Sequence, residues 1–307
     1  MTSPNPWSHR MSLPVIAAPM TGVSTPELVI EACRNGVIGA FPTHNAPSPT
    51  VLHHWLSRLR DDLSPADAPV APNLVVHPSN ARLAADLDCL LRHRVEAVIT
   101  SVGSPAAVIG PLHDAGTAVY ADVASLTHAR RAIDAGADGV ILLTAGAGGQ
   151  TGWANPFAFV RAVRRQFEGP IVLAGGISDG PAIVAAQALG VDLVYLGTRF
   201  IATEESGADP AYRAAVVASE LDDVRLSDRV GGIPASLLAS WLDAQDGCGT
   251  DSTDGFRQDR LLSNRTAWSA GHSVSGVHEV TSVAALIAAL ADEYRVARTA
   301  LCAVAGH

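Results

Sequence analysis

The chain has 307 residues, 48% of them hydrophobic, and a formal net charge of −9. The charge argues against a nucleic-acid partner, and no apolar run approaches the roughly 18 residues of a membrane span. All 21 basic side chains are arginine, which excludes a lysine Schiff base and pyridoxal phosphate chemistry. The opening Met1-Thr-Ser-Pro-Asn-Pro-Trp7 lacks the basic and apolar regions of a signal peptide. Four cysteines, Cys33, Cys89, Cys248 and Cys302, show neither disulfide nor metal spacing, so a cytoplasmic, reducing location is expected.

Runs of branched apolar residues bounded by turn residues recur along the chain. They are Val15–Pro19, Val37–Phe41, Val70–Val75, Ala97–Ser101, Ala118–Asp122, Gly139–Leu143, Ile171–Ala174 and Leu193–Leu196. Their starts lie roughly 20 to 35 residues apart, the length of one strand and one crossover helix. Continuous apolar runs without period-2 alternation fit parallel strands buried on both faces. Helical spacing fills the intervals, as in Leu126–Ala135, where Arg130, Arg131 and Asp134 can face water. The repetition predicts an α/β chain folded as a TIM-like (β/α)8 barrel; a doubly wound open sheet is the alternative.

After Phe200 the repeat breaks. Ala202–Pro210 reads as a polar turn, Ala211–Leu221 as a helix and Asp243–Gly255 as a turn-rich loop, before helical spacing returns in Ser282–Thr299. The expected division is a barrel of residues 1–204 and 266–307, with a smaller, mainly helical cap, residues 205–265, between strand 8 and the last helix. That insertion lies on the face where barrel active sites sit. It reads as a lid over the site, or as a dimerisation element that would make a homodimer.

The chemistry concentrates where the last two barrel strands end. Ala174-Gly-Gly-Ile177 and Leu196-Gly-Thr198 each follow an apolar strand, and glycine lets backbone N–H groups approach a ligand closely. The turns after strands 7 and 8 of such barrels form a phosphate site. A phosphorylated cofactor or substrate is therefore expected at the barrel mouth.

Six segments in order carry a family resemblance: Pro14-Val-Ile-Ala-Ala-Pro-Met-Thr21, Ala71-Pro-Asn-Leu74, Gly146-Ala-Gly-Gly-Gln-Thr-Gly152, Ala174-Gly-Gly-Ile177, Leu196-Gly-Thr-Arg-Phe200 and Trp268-Ser-Ala-Gly-His-Ser-Val274. The chain resembles the nitronate monooxygenases and the related flavin-dependent enoyl-acyl-carrier-protein reductases. The resemblance implies FMN as cofactor. Its phosphate would take Gly175, Gly176, Gly197 and Thr198, and its ring would lie against Ala18, Pro19, Met20 and Thr21. Asn73 matches a family asparagine that hydrogen-bonds the cofactor, and Gly148 and Gly149 belong to the family's glycine loop. Ser101 and Asp122 also end strands and either line the site or cap their strands.

One position departs from the pattern. The family's usual Glu-Ala-Gly-Gly-His segment carries a histidine proposed as the base, and here Gln150 occupies that slot. Glutamine cannot take a proton near pH 7. Two histidines are candidate substitutes: His44, just past strand 2 with Asn45 nearby to orient it, and His272 in the late segment. Trp153, after the glycine loop, and Trp268 are candidate pocket walls, and Arg199 is either a phosphate contact or a structural ion-pair residue. The pairs His53/His54 and His93/Arg94 read as surface residues, and no histidine–carboxylate cluster has metal-ligand spacing, so no metal is expected.

These readings imply an FMN oxidoreductase that oxidises alkyl nitronates, such as propionate 3-nitronate, with O2 and handles neutral nitroalkanes poorly. The alternatives are an NAD(P)H-dependent enoyl-thioester reductase and a flavin-free isomerase or synthase whose phosphate site holds the substrate.

Overall fold

The computed structural model describes residues 5–245 and 255–305; Cys248 and most of the turn-rich loop expected at Asp243–Gly255 lie outside them. The first elements are β1 (Val15–Ala17), α1 (Pro26–Arg34), β2 (Ile38–Gly39), α2 (Pro49–Asp62), β3 (Asn73–Val75) and α3 (Leu83–His93). Then come β4 (Ala97–Ser101), α4 (Ala106–Asp114), β5 (Ala118–Val123), α5 (Leu126–Asp134) and β6 (Gly139–Leu143). A two-residue strand, β7 (Gly149–Gln150), precedes α6 (Pro156–Arg164), β8 (Ile171–Ala174), α7 (Gly180–Ala188), β9 (Leu193–Leu196) and the single turn α8 (Thr198–Ile201).

Several helices start where the sequence pairs a capping side chain with proline. Thr25, Ser48, Asn155 and Asp209 each accept a backbone N–H of the first turn ahead of Pro26, Pro49, Pro156 and Pro210. Proline costs nothing there because its missing N–H would be unpaired anyway.

The eight main strands form one parallel sheet in the order β2-β1-β9-β8-β6-β5-β4-β3. Its two edges meet through the parallel bridges Gly39–Val70 and Pro42–Asn73, with Ala71 and Asn73 donating to the carbonyls of Gly39 and Phe41 at 2.9 and 2.8 Å. The sheet therefore closes into a barrel, and the doubly wound alternative is set aside. Alternate residues divide two cores. Ala121 and Val123 pack outward against the helices, while Tyr120 joins the interior with Ile16, Ile99, Ile141 and Val172. Trp7 closes the bottom by resting on Tyr120, ring centroids 5.9 Å apart. Gly139, opposite Tyr120 in register, leaves that ring its room, since a Cβ there would lie 2.4 Å from Cε1.

The insertion contains α9 (Pro210–Ala218), β10 (Val224–Ser227), β11 (Ala235–Leu238), α10 (Ala239–Ala244) and α11 (Gln258–Ser263); α12 (Val283–Ala305) then packs on α7 and α1. Among its described residues helix exceeds strand, and they include an antiparallel hairpin that the periodicity did not predict. In that hairpin β11 pairs on one side with β10 and on the other with β7, placing Ala235 opposite Gln150 and Ser236 opposite Gly149. Val224-Arg-Leu-Ser227 is half exposed and too short and mixed to read as a buried strand. Among the described residues, no helix is long and apolar enough to cross a membrane.

Candidate active site

A cavity opens at the C-terminal ends of the barrel strands, enclosing about 1380 Å3 between the atoms with its open mouth included. Its lining includes every residue named above for the cofactor, together with His44 and Gln150.

One wall is backbone. Gly175 and Gly176 adopt φ of +127° and +71°, conformations that favour glycine. A Cβ on Gly175 would strike the Thr144 hydroxyl at 2.5 Å, whereas one on Gly176 would meet no atom within 4 Å and would stand in the cavity. Thr198, buried beside them, accepts the Gly271 amide at 3.0 Å. Its hydroxyl hydrogen stays free to donate.

The turn after β1 is fixed from below. Asn45 donates to the carbonyls of Met20 and Ser24 at 2.9 and 3.0 Å and accepts Gly22 N–H at 3.0 Å. It is fully engaged with the turn and does not orient His44, contrary to expectation. His44 instead meets the Thr21 hydroxyl through Nε2 at 2.9 Å, and its Nδ1 is enclosed without a partner among the described residues. Burial, with the nearby Arg265 and Arg82 charges adding, lowers its pKa to about 4, so the ring is neutral at pH 7.

The floor is polar. The Ser101 hydroxyl donates to Asn73 Oδ1 at 3.3 Å, and Asn73 Nδ2 reaches the Ile99 carbonyl at 3.4 Å. Beside them, Asp122 Oδ1 and the Tyr195 hydroxyl are enclosed and have no partner among the described residues. Burial pushes the Asp122 carboxyl up to about 8 and the Tyr195 phenol well above its ordinary value, with Asp122 adding to the latter. Asp122 is thus mainly protonated at neutral pH. The residue as a whole opens on the cavity while Oδ1 itself is sealed.

The remaining wall joins the glycine loop to the insertion. A Cβ on Gly148 would lie 2.7 Å from Gly271 N, so two backbones touch there. The Gln150 amide faces Gly231, and Val230, Ile233, Leu261, Asn264 and Arg265 complete that side. None of these insertion residues was foreseen, and neither was Tyr195. Leu193 and Tyr195 both pack into the barrel interior, and that period of two was the available signal.

Other expected residues lie elsewhere. His272 is exposed, with its ring packed on Gly146 outside the cavity lining. Trp153 is 84% exposed and does not wall the pocket. Trp268 stacks on Tyr212 with an interplanar angle of 2°, also off the cavity. Arg199 donates to the Gly276 carbonyl, which makes it a structural tie.

Fold and site together define a barrel protein with a glycine-lined wall and a polar floor in the cavity at its C-terminal mouth. The nitronate monooxygenase family model matches residues 60–293. The chain belongs to the nitronate monooxygenase family. It is 29% identical to a nitronate monooxygenase of Paraburkholderia phytofirmans, over 74% of each chain. It is 30% identical to a (3aS,4S,5R,7aS)-5-hydroxy-7a-methyl-1-oxo-octahydro-1H-indene-4-carboxyl-CoA dehydrogenase of Rhodococcus jostii, over 73% of this chain, and spans 62% of that relative's length. Similar solved structures include FabK from Thermotoga maritima, with a TM-score of 0.82 at 26% identity, covering 96% of this chain and 97% of that one. Nitroalkane oxidase from Streptomyces ansochromogenes gives 0.81 at 26% identity, covering 94% and 97%.

Proposed function

We propose that this protein is an FMN-dependent oxidoreductase that oxidises alkyl nitronates with O2. The observation that carries the reading is the absence of a usable base among the described cavity residues. Gln150 cannot accept a proton, His44 has a pKa of about 4, and Asp122 already holds its proton at pH 7. A neutral nitroalkane must lose a carbon-bound proton before oxidation; a nitronate has already lost it. The overall change balances as nitronate plus half an O2 giving a carbonyl compound plus nitrite.

The residues fit FMN. The N–H groups of Gly175, Gly176 and Gly197 and the Thr198 hydroxyl would hold its phosphate. The enclosed, unpartnered Asp122 Oδ1 and Tyr195 hydroxyl, with Asn73 and Ser101, would meet its polar ring edge. Ala18, Pro19, Met20 and Thr21 supply the wall beside it. When bound, FMN would accept the substrate's electrons and pass them to O2. Gln150 can donate its amide hydrogens to the nitronate oxygens, and Arg265 brings a positive charge to the mouth.

The test is anaerobic mixing of the purified protein with nitroethane and, separately, with its nitronate. Loss of the visible flavin absorbance with the anion alone is the expected result. Comparable turnover on the neutral compound, where spontaneous ionisation is blocked, would sink the proposal. A second reading, an NAD(P)H-dependent enoyl-thioester reductase, is favoured by one observation: a protonated carboxyl in the floor is the proton donor that such a reduction needs. Bleaching by NAD(P)H but not by nitronate would select it.

A further inference from the structure

A second group of chemically competent side chains lies outside the barrel mouth, between α2 and α3. His53 is on α2; Cys89 and His93 are four residues apart on α3 and so share one helix face. One ligand atom from each, an imidazole nitrogen or the thiol sulfur, lies within 4.8 Å of the other two. His93 Nε2 and His53 Nδ1 are 2.8 Å apart. Cys89 is 3% exposed, free, and without a hydrogen-bond partner among the described residues. Sequence spacing hides this group because His53 is far from the other two along the chain.

We propose that His53, Cys89 and His93 form a binding site for a zinc-type transition-metal ion. One thiolate and two imidazoles are the donors that zinc prefers, and they disfavour magnesium or calcium, which take oxygen. With Zn–S of about 2.3 Å and Zn–N of about 2.0–2.1 Å, a tetrahedral shell holds its donor atoms roughly 3.3–3.7 Å apart. The present spacings, from 2.8 Å up to 4.8 Å, bracket that range. Rotation of the exposed His53 ring supplies the adjustment, and water can take the fourth position beside it.

Binding exchanges the histidine–histidine hydrogen bond for two metal–nitrogen bonds. The thiol gives up its proton: Cys–SH plus Zn2+ becomes Cys–S–Zn+ plus H+. The nearest cations are already balanced, since Arg92 pairs with Asp88 and Arg60 with Asp61. The clamp would act on one side of the cavity. The 3-10 turn carrying His44 leads into α2, and Arg82, ahead of α3, donates to the Ala46 carbonyl at 2.7 Å and pairs with Asp86 at 2.8 Å.

The test is competition for Zn2+ between the purified holoprotein and a chromophoric chelator, followed by X-ray absorption at the zinc edge. One tight equivalent is expected, with a single sulfur at about 2.3 Å and nitrogens at about 2.0–2.1 Å. Cys89→Ser and His53→Gln should each weaken binding by about tenfold or more, while Cys302→Ser leaves it unchanged. Zn2+ should raise the Tm of the wild type and not of Cys89→Ser. His53 is exposed, so its variant keeps the test valid if the cysteine variant folds poorly. Equal affinity in wild type and His53→Gln, or a metal shell without sulfur, would overturn the site.

Discussion

Gln150 stands in register with Ala235, joining the barrel's glycine loop to the insertion through a two-residue ladder. The side chain at the position expected to carry a base is therefore aimed by the insertion as much as by the barrel. An added base there would face the cavity with no change of backbone.

Gln150→His should consequently supply the missing proton acceptor. A positioned general base contributes about 10²–10⁴-fold, so kcat/KM on neutral nitroethane should rise by about 100-fold. The value for the nitronate should stay within about threefold, because no proton leaves carbon in that reaction. Steady-state rates on the two forms, measured faster than they interconvert, check this. A parallel rise on both substrates would show that proton abstraction was not the missing step.

Adjacent glycines in the cradle should fail in different ways. Gly175→Ala drives a Cβ to 2.5 Å from the Thr144 hydroxyl, which is buried and donates to the Ala174 carbonyl at 2.7 Å. It should therefore lower Tm sharply. Gly176→Ala meets no neighbour, and its cost is the φ of +71°, about 1–2 kcal/mol. Its methyl group enters the cavity, so flavin retention after gel filtration should fall by about tenfold while the fold survives. Thermal melts beside the flavin-to-protein absorbance ratio separate the two effects.

Thr198→Val tests the hydrogen bond that ties the glycine turns to the late segment. The substitution keeps shape but leaves the buried Gly271 N–H without its acceptor, which costs about 1–3 kcal/mol. Thr198→Ser should restore both stability and flavin retention. Denaturant unfolding of the three proteins reads this; a valine variant as stable as wild type would mean that the segment finds another acceptor.

The barrel was legible because each of its strands is a compact apolar run and these runs recur at the spacing of one strand and one crossover helix. The glycine turns were legible for the same local reason: Gly175 and Gly176 follow the buried Ile171–Ala174 directly. Long-range pairing left no such trace. Ala235 reaches Gln150 across 85 residues of chain, and the hairpin that carries it gains its apolar partners only after docking. Asn45 illustrates the other limit: its place beside His44 in sequence suggested an orienting partner, whereas its side chain is taken up by three backbone groups of the β1 turn. Sequence adjacency does not say which way a side chain points.

Asp122 and His44 should leave opposite marks on the pH dependence of stability. The Asp122 carboxyl rises from 3.8 to about 8 on folding, so between those values the folded state holds a proton that the unfolded chain releases. Its contribution is present at low pH and is lost as pH climbs towards 8. His44 falls from 6.5 to about 4, so the unfolded chain holds the extra proton in that window. Its contribution is present above 6.5 and lost as pH falls through 4. The two oppose each other below pH 6.5, and Asp122 alone acts from there to pH 8. Asp122→Asn should thus flatten the alkaline decline in Tm relative to wild type. His44→Gln should differ in slope from wild type only on the acid side of 6.5. Melting curves of the three proteins across this range decide it. If Asp122→Asn tracked wild type from pH 6.5 to 8, the floor carboxyl would be ionised in the folded protein, and the proposal that it meets the cofactor's ring edge as a protonated donor would fail with it.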